Sequence, residues 1–238
     1  FNLKNRFSEN DHLIVCISWT YGSGGVNIGF KLADKLKINF YDAEIFEAVL
    51  KRLEAQKDSI QDSVSYGIKP GIKKEQAHDQ NANVNPSEAF IPERHLTLRQ
   101  RMREFSRFHG LPKRDAVFFN ESDLLVDMAK KEDFVILGRC GDAIMANNNI
   151  PHISIYITAP FEQRIKRAME IDSSLTVKQA RHMLKHLDHV HSQYYHYYTN
   201  RNWGHSNNYD LCINSASYGI DGTVDFIYRM ITAREEDK

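Results

Sequence analysis

Leu13-Ile14-Val15-Cys16-Ile17-Ser18-Trp19-Thr20-Tyr21-Gly22-Ser23-Gly24-Gly25-Val26-Asn27-Ile28-Gly29 is the stretch that decides the fold. An apolar, β-rich run breaks into glycines, and a helical pattern carrying Ile28, Leu32, Ala33 and Leu36 follows. A strand that turns through glycines into a helix points several backbone N–H groups at one spot. The positive end of the helix dipole lies at the same place, which suits a phosphate. Gly22, Ser23, Gly24, Gly25, Val26 and Asn27 are therefore the candidate phosphate-binding residues.

The pattern G-x-x-x-x-G-K-[ST], in which a lysine and a magnesium-binding hydroxyl follow the glycines, is not met. Gly25 stands where the lysine belongs and Asn27 where the hydroxyl belongs. The backbone cradle is present; its fixed charge is missing.

Working outward, short apolar runs recur at 13–18, 38–41, 134–137, 152–157 and 209–213. Near-continuous apolar character marks strands buried on both faces, as in a parallel sheet wrapped by helices. Helical patterns fall at 25–37, 43–56, 121–131, 139–147, 161–171, 176–198 and 219–233, with Asp42 as an N-cap and Pro160 suited to a first helical turn. The alternation predicts an α/β fold. Its rhythm breaks at 57–92, where Gln, Asn, Asp, Lys and Pro dominate, most densely at 73–86. That composition buries too little apolar surface to order itself, so 57–92 reads as a flexible excursion within a helical subdomain, 43–131. A basic stretch at 99–114 carries Arg99, Arg101, Arg103, Arg107, Lys113 and Arg114 against Glu104. Leu98, Met102, Phe105 and Phe108 recur there at helical spacing, so one face packs. The other faces are either solvated or collect anions near a nucleotide.

The 238 residues suit a single domain, 1–238, or a core with a mobile subdomain. Lys plus Arg and Asp plus Glu both number 31, so no net charge draws the chain to nucleic acid or to an anionic membrane. No apolar run approaches the roughly 20 residues that span a bilayer. Residues 1–12 are polar and carry no signal-peptide core, which sets the expectation of a cytoplasmic protein. Cys16, Cys140 and Cys212 lie far apart with no C-x-x-C pair, and read as buried reduced thiols rather than a zinc site. His182, His186 and His189 share a helical face, yet no carboxylate joins them and H-E-x-x-H is absent, so no metal site is assigned.

Together the pieces resemble the cytidylate kinase-like family, a P-loop branch of the nucleoside monophosphate kinases. Beyond the glycine turn, the resemblance rests on Leu32-Ala33-Asp34-Lys35-Leu36, Phe40-Tyr41-Asp42, Val135-Ile136-Leu137-Gly138-Arg139-Cys140 and Arg164-Ile165-Lys166-Arg167. Tyr194-Tyr195, Trp203-Gly204 and Asn208-Tyr209-Asp210-Leu211-Cys212-Ile213-Asn214-Ser215 complete it. The resemblance implies a P-loop NTPase fold: a five-stranded parallel sheet in the order 2-3-1-4-5, with a helical monophosphate-binding insertion (43–131) and a lid (161–205). It implies ATP-dependent phosphoryl transfer to a CMP-like monophosphate or another small acceptor, with ATP and Mg2+ as cofactors. Arg139 would then grip a phosphate in bidentate fashion, with Asp42 and Asp142 on the acceptor side. Arg164 and Arg167 would be the catalytic lid pair, Arg181, Lys185 and His191 further lid residues, and Asn214 and Ser215 would border the adenine, with Tyr218 near.

Against the family's pattern, Trp19, Val26 and His191 stand where arginines are common. Loss of three cations at a transferring phosphate weakens turnover more than binding. The chain could therefore be a catalytically impaired nucleotide-binding module. Its expected partner is a nucleotide or small-molecule substrate rather than a membrane or nucleic acid, and a homo-oligomer stays open.

Overall fold

The computed structural model describes residues 6–42, 113–138 and 140–232. Five strands, β1 (Ile14–Trp19), β2 (Asn39–Asp42), β3 (Phe134–Leu137), β4 (Ile153–Thr158) and β5 (Leu211–Asn214), form one sheet in the order β2-β3-β1-β4-β5. All pairings are parallel, with Ile17 level with Leu137 on one side and with Ile155 on the other. The helices are α1 (Gly25–Leu36), α2 (Lys113–Ala129), α3 (Gly141–Asn147), α4 (Phe161–Ile171), α5 (Val177–Thr199) and α6 (Ser215–Thr232). This is the P-loop NTPase fold expected from the sequence.

The alternation of side chains along β1 builds both layers of the core. Val15 and Ile17 join Ile28 and Leu32 of α1, Val135, Ile155 and Ile227 of α6 in one cluster. Ile14 and Cys16 face the other way, against Leu125, Phe134, Ile136 and Met145 beside α2 and α3. β1 is buried along its whole length because it has a strand on each edge and helices on each face, whereas the edge strand β2 is only half-buried. Burial on both faces is why these strands read as unbroken apolar runs rather than alternating ones.

Helix boundaries differ from the sequence reading in instructive places. α2 begins at Lys113, inside the basic stretch, rather than at 121. α6 begins at Ser215, directly after β5, and kinks at Gly219, whose φ of 69° leaves the helical region; the expected start at 219 marks that kink. α5 is fixed at its start by a reciprocal Thr176–Gln179 capping box. Cys16 and Cys140 are buried as expected, but Cys212 is exposed, because β5 is the other edge of the sheet. Among the described residues no helix is long and apolar enough to cross a membrane. The expected helix 43–56, the excursion 57–92 and the basic stretch up to 112 lie outside the described residues.

Candidate functional site

Between β1 and α1 the chain turns through Gly22 (φ 77°) and Gly24 (φ 82°), conformations that disfavour any residue with a Cβ. Two backbone bonds shape the turn: Thr20 N–H donates to the Ile157 carbonyl and Ser23 N–H to the Thr20 carbonyl, both at 3.0 Å. Ser23 is fully buried, and its hydroxyl donates to the Ile157 carbonyl at 3.3 Å. From the first turn of α6, the Ser215 hydroxyl reaches the Ser23 carbonyl at 2.6 Å and the Thr158 carbonyl at 3.2 Å. The loop is thereby bolted to the ends of β4 and β5. Among the described residues, the N–H groups of Gly24, Gly25, Val26 and Asn27 have no protein partner. These are the orphan donors of a helix start, with the dipole's positive end behind them.

Gly25 and Trp19 are one packing unit. A Cβ at Gly25 would overlap Cβ and Cγ of Trp19, and a Cβ at Gly138 would come within 3.3 Å of the same indole. The indole is only 4% exposed. Two departures from the expected pattern, a missing lysine at 25 and a missing arginine at 19, therefore have a common steric cause: the tryptophan occupies the room in which a lysine side chain would start.

The lid pair splits. Arg164 is buried; its Nη1 donates to Asp188 Oδ2 at 2.7 Å and to the Tyr21 carbonyl at 3.1 Å. Asp188 Oδ1 in turn accepts the Tyr21 N–H at 3.2 Å, so the ion pair holds both the N–H and the carbonyl of one loop residue, Tyr21. Arg164 Nε is buried without a hydrogen-bond partner. Arg167 instead reaches the loop itself. Its Nη1 donates to the Gly22 carbonyl at 3.3 Å and lies 2.7 Å from where a Cβ of Gly24 would be. A guanidinium thus sits beside the open amides of α1. Asp188 was missed in the sequence, although it is the sole acidic residue between 177 and 199, a signal that it has a fixed partner.

On the other flank of the loop, at the ends of β1 and β3, lies a shallow cleft walled by rings: Trp19, His191, Tyr194, Tyr195 and Trp203. Ser18, Gly138 and Cys140 complete its lining. The His191 imidazole stands 5.7 Å from Trp19, 5.0 Å from Tyr21 and 5.6 Å from Trp203, centroid to centroid. Behind the cleft the Tyr195 hydroxyl donates to Asp142 Oδ2 at 2.7 Å. Asp142 is 4% exposed and its Oδ1 has no partner. Burial pushes the Asp142 carboxyl above its ordinary value despite the Tyr195 hydroxyl. The Tyr195 phenol is raised by burial and then by Asp142. Nearby Tyr209 is pushed up to about 12, again chiefly by burial.

The remaining candidates spread around these two flanks. Arg139 lies outside the described residues, between Gly138 and Cys140. Asp42 ends β2 and is half-buried. Asn214 ends β5, exposed, with its Oδ1 accepting from Ala216 N–H at 3.0 Å. Val26 and Asn27 are exposed on the first turn of α1. Arg181 pairs with Glu162 at 2.7 Å, and Arg181 and Lys185 stand 5.4 Å and 6.0 Å from the Phe161 ring. Among the described residues no group of three or more His, Cys, Asp or Glu could hold a metal ion.

Comparison with known proteins finds a matching family model and similar solved structures. A family model described as the cytidylate kinase-like family matches residues 14–217. Among solved structures, an uncharacterized protein from Eubacterium ventriosum is similar, with a TM-score of 0.62 at 22% identity, covering 94% of this chain and 100% of that one. A shikimate kinase from Bacteroides thetaiotaomicron follows at a TM-score of 0.47 and 12% identity, covering 92% of this chain and 98% of its own. Among curated proteins, none matches the chain.

Proposed function

Because this chain belongs to the cytidylate kinase-like family, we propose that it is an ATP-dependent kinase of a small acceptor, CMP-like in the family's pattern. The observation that carries this reading is the open row of amides from Gly24 to Asn27 with the Arg167 guanidinium beside it. A phosphate chain needs donors and positive charge at one place, and this flank of the loop supplies both without a lysine. ATP, when bound, would supply the phosphoryl group; Gly22 to Asn27 and Arg167 fit its phosphates, and Asn214 and Ser215 stand at the strand end beside them. Magnesium would be held largely through those phosphates and water, as is usual for this ion. Arg139 is assigned to the acceptor, residues 43–131 to an acceptor-side subdomain and 161–205 to the lid. Three free thiols suit a reducing compartment, and we place the protein in the cytoplasm.

The buried Arg164–Asp188 pair favours a second reading, a nucleotide-binding module with little turnover, since one arginine of the lid pair is already committed to the loop's peptide. Calorimetry with ATP, with and without magnesium, followed by a coupled assay over a panel of small acceptors, separates the two. Saturable ATP binding that weakens at least tenfold in Arg167→Gln, with turnover on one acceptor, is the expected result. Binding without turnover on any acceptor leaves the module. No ATP binding at all overturns both.

A further inference from the structure

Three hydrogen bonds from the hairpin of α4 and α5 grip two consecutive residues where the chain enters the glycine turn. Tyr21 N–H donates to Asp188 Oδ1 at 3.2 Å, and the Tyr21 carbonyl accepts from Arg164 Nη1 at 3.1 Å. The Gly22 carbonyl accepts from Arg167 Nη1 at 3.3 Å. A peptide unit is planar, so its N–H and C=O turn together and holding one holds the other. The Thr20–Tyr21 unit is held at both ends, since the Thr20 carbonyl accepts from Ser23 N–H while Tyr21 N–H sits on Asp188. The Tyr21–Gly22 unit is held by its carbonyl on Arg164, and the Gly22–Ser23 unit by its carbonyl on Arg167 and by Ser23 N–H.

Such restraint matters at an anion site made of backbone. Amides attract a phosphate, but a carbonyl dipole swung inward repels it, so the donors help only when the planes are set beforehand. Gly22, at a φ of 77°, has no Cβ to limit its rotation, and the limit must come from partners. Asp188 is the hub of those partners. Its Oδ1 fixes the first plane directly, while its Oδ2 holds Arg164 at 2.7 Å and so fixes the second. The Arg164 side chain is 8% exposed, and a guanidinium that deep stays in place only beside its counter-charge.

We propose that Asp188 is a positioning residue for phosphate binding. Through Tyr21 directly and through Arg164, it keeps the carbonyls entering the turn on the hairpin side and leaves the amides from Gly24 to Asn27 to the ligand. The role rests on the phosphate-binding reading above and extends it to a residue that does not itself touch phosphate. It also makes α5 a brace: the helix cannot leave the loop without releasing Tyr21.

Two double variants of the full chain, equal in charge, isolate the bond to Tyr21. Arg164→Met with Asp188→Leu removes both charges and both hairpin bonds to Tyr21. Arg164→Met with Asp188→Asn removes the same charges but keeps an amide oxygen to accept the Tyr21 N–H. Inorganic triphosphate is titrated into each by calorimetry, and amide exchange is followed by NMR. Tyr21 exchange is taken relative to Cys16 N–H, in the middle of β1 between two strands, which reports opening of the whole sheet. The expected result is relative Tyr21 exchange roughly tenfold faster, and triphosphate binding roughly fivefold weaker, in the leucine form than in the asparagine form. A role confined to stability would move Cys16 exchange and leave the relative Tyr21 rate and the affinity alike in both forms, which overturns the proposal. So does weaker binding without faster Tyr21 exchange, or faster exchange at equal affinity. Failure of the phosphate reading looks different: the parent chain itself binds no triphosphate, and both ideas fall together.

Discussion

The two flanks of the glycine loop are made of different materials. Toward β4 and β5 the loop is tied by hydroxyls and carbonyls, Ser23, Ser215 and Thr158, with Arg167 alongside. Toward β3 it is packed by rings, Trp19 against Gly25 and Gly138 and His191 against Trp19. Trp19 and His191, two of the three residues that stand where the resemblance implies arginines, fall on the ring flank and touch each other. The ring flank is thus one packed unit, while the other flank is a polar frame.

The contrast can be broken by force at Gly25. Gly25→Lys, which writes the lysine back, should destabilise the fold by about 3 kcal/mol or more, because its Cβ has nowhere to go while Trp19 is present. Adding Trp19→Ala should make the lysine tolerable; urea denaturation of single and double variants checks this, and a Gly25→Lys chain as stable as the parent would undo the coupling. Next comes the clamp. Asp188→Ala leaves the Arg164 charge buried and unpaired, at a cost of roughly 3 kcal/mol, toward the low end because the Asp188 side chain keeps 21% exposure. The double variant with Arg164→Met should recover most of that loss in the same measurement. On the polar flank, Ser215→Ala removes one hydroxyl shared by two carbonyls and should cost about 1–2 kcal/mol. It should also weaken ATP binding.

The smallest effect is a slope with pH. The folded Asp142 carboxyl is raised above its ordinary value of 3.8 by burial, so the fold prefers it protonated. That contribution is complete below 3.8 and is lost as pH rises through the raised folded value. Asp142→Asn lacks the titration, so its urea midpoint should gain on the parent's as pH climbs above 3.8. Drift in the opposite direction would mean that the folded chain holds the carboxylate charged.

Much of the frame was legible in the sequence because strands buried on both faces announce themselves as apolar runs. All five strands appear within a residue or two of where those runs lie. The family resemblance supplied the strand order, which periodicity alone does not contain. The site was legible by type and not by arrangement. Spacing three apart puts Arg164 and Arg167 on one face of α4, but only the packing of α4 against α5 decides that one meets Asp188 and the other Gly22. Gly25 and Trp19 were both visible as departures. That they are one departure depends on a contact across the turn between β1 and α1, which no local pattern encodes.

β1 comes first in the chain yet lies in the middle of the sheet, and its contact from Ile14 to Phe134 spans 120 positions (134 − 14 = 120). Within that span, residues 43–112 amount to 70 (112 − 42 = 70). The entropy of closing a loop grows only as the logarithm of its length, so cutting 70 residues to about 10 would spare roughly 1.7 kcal/mol. The cost to the sheet therefore grows only slowly, at equilibrium, with the amount of chain between β2 and α2. The toll falls on speed, since the central strand waits for remote partners before it can pair.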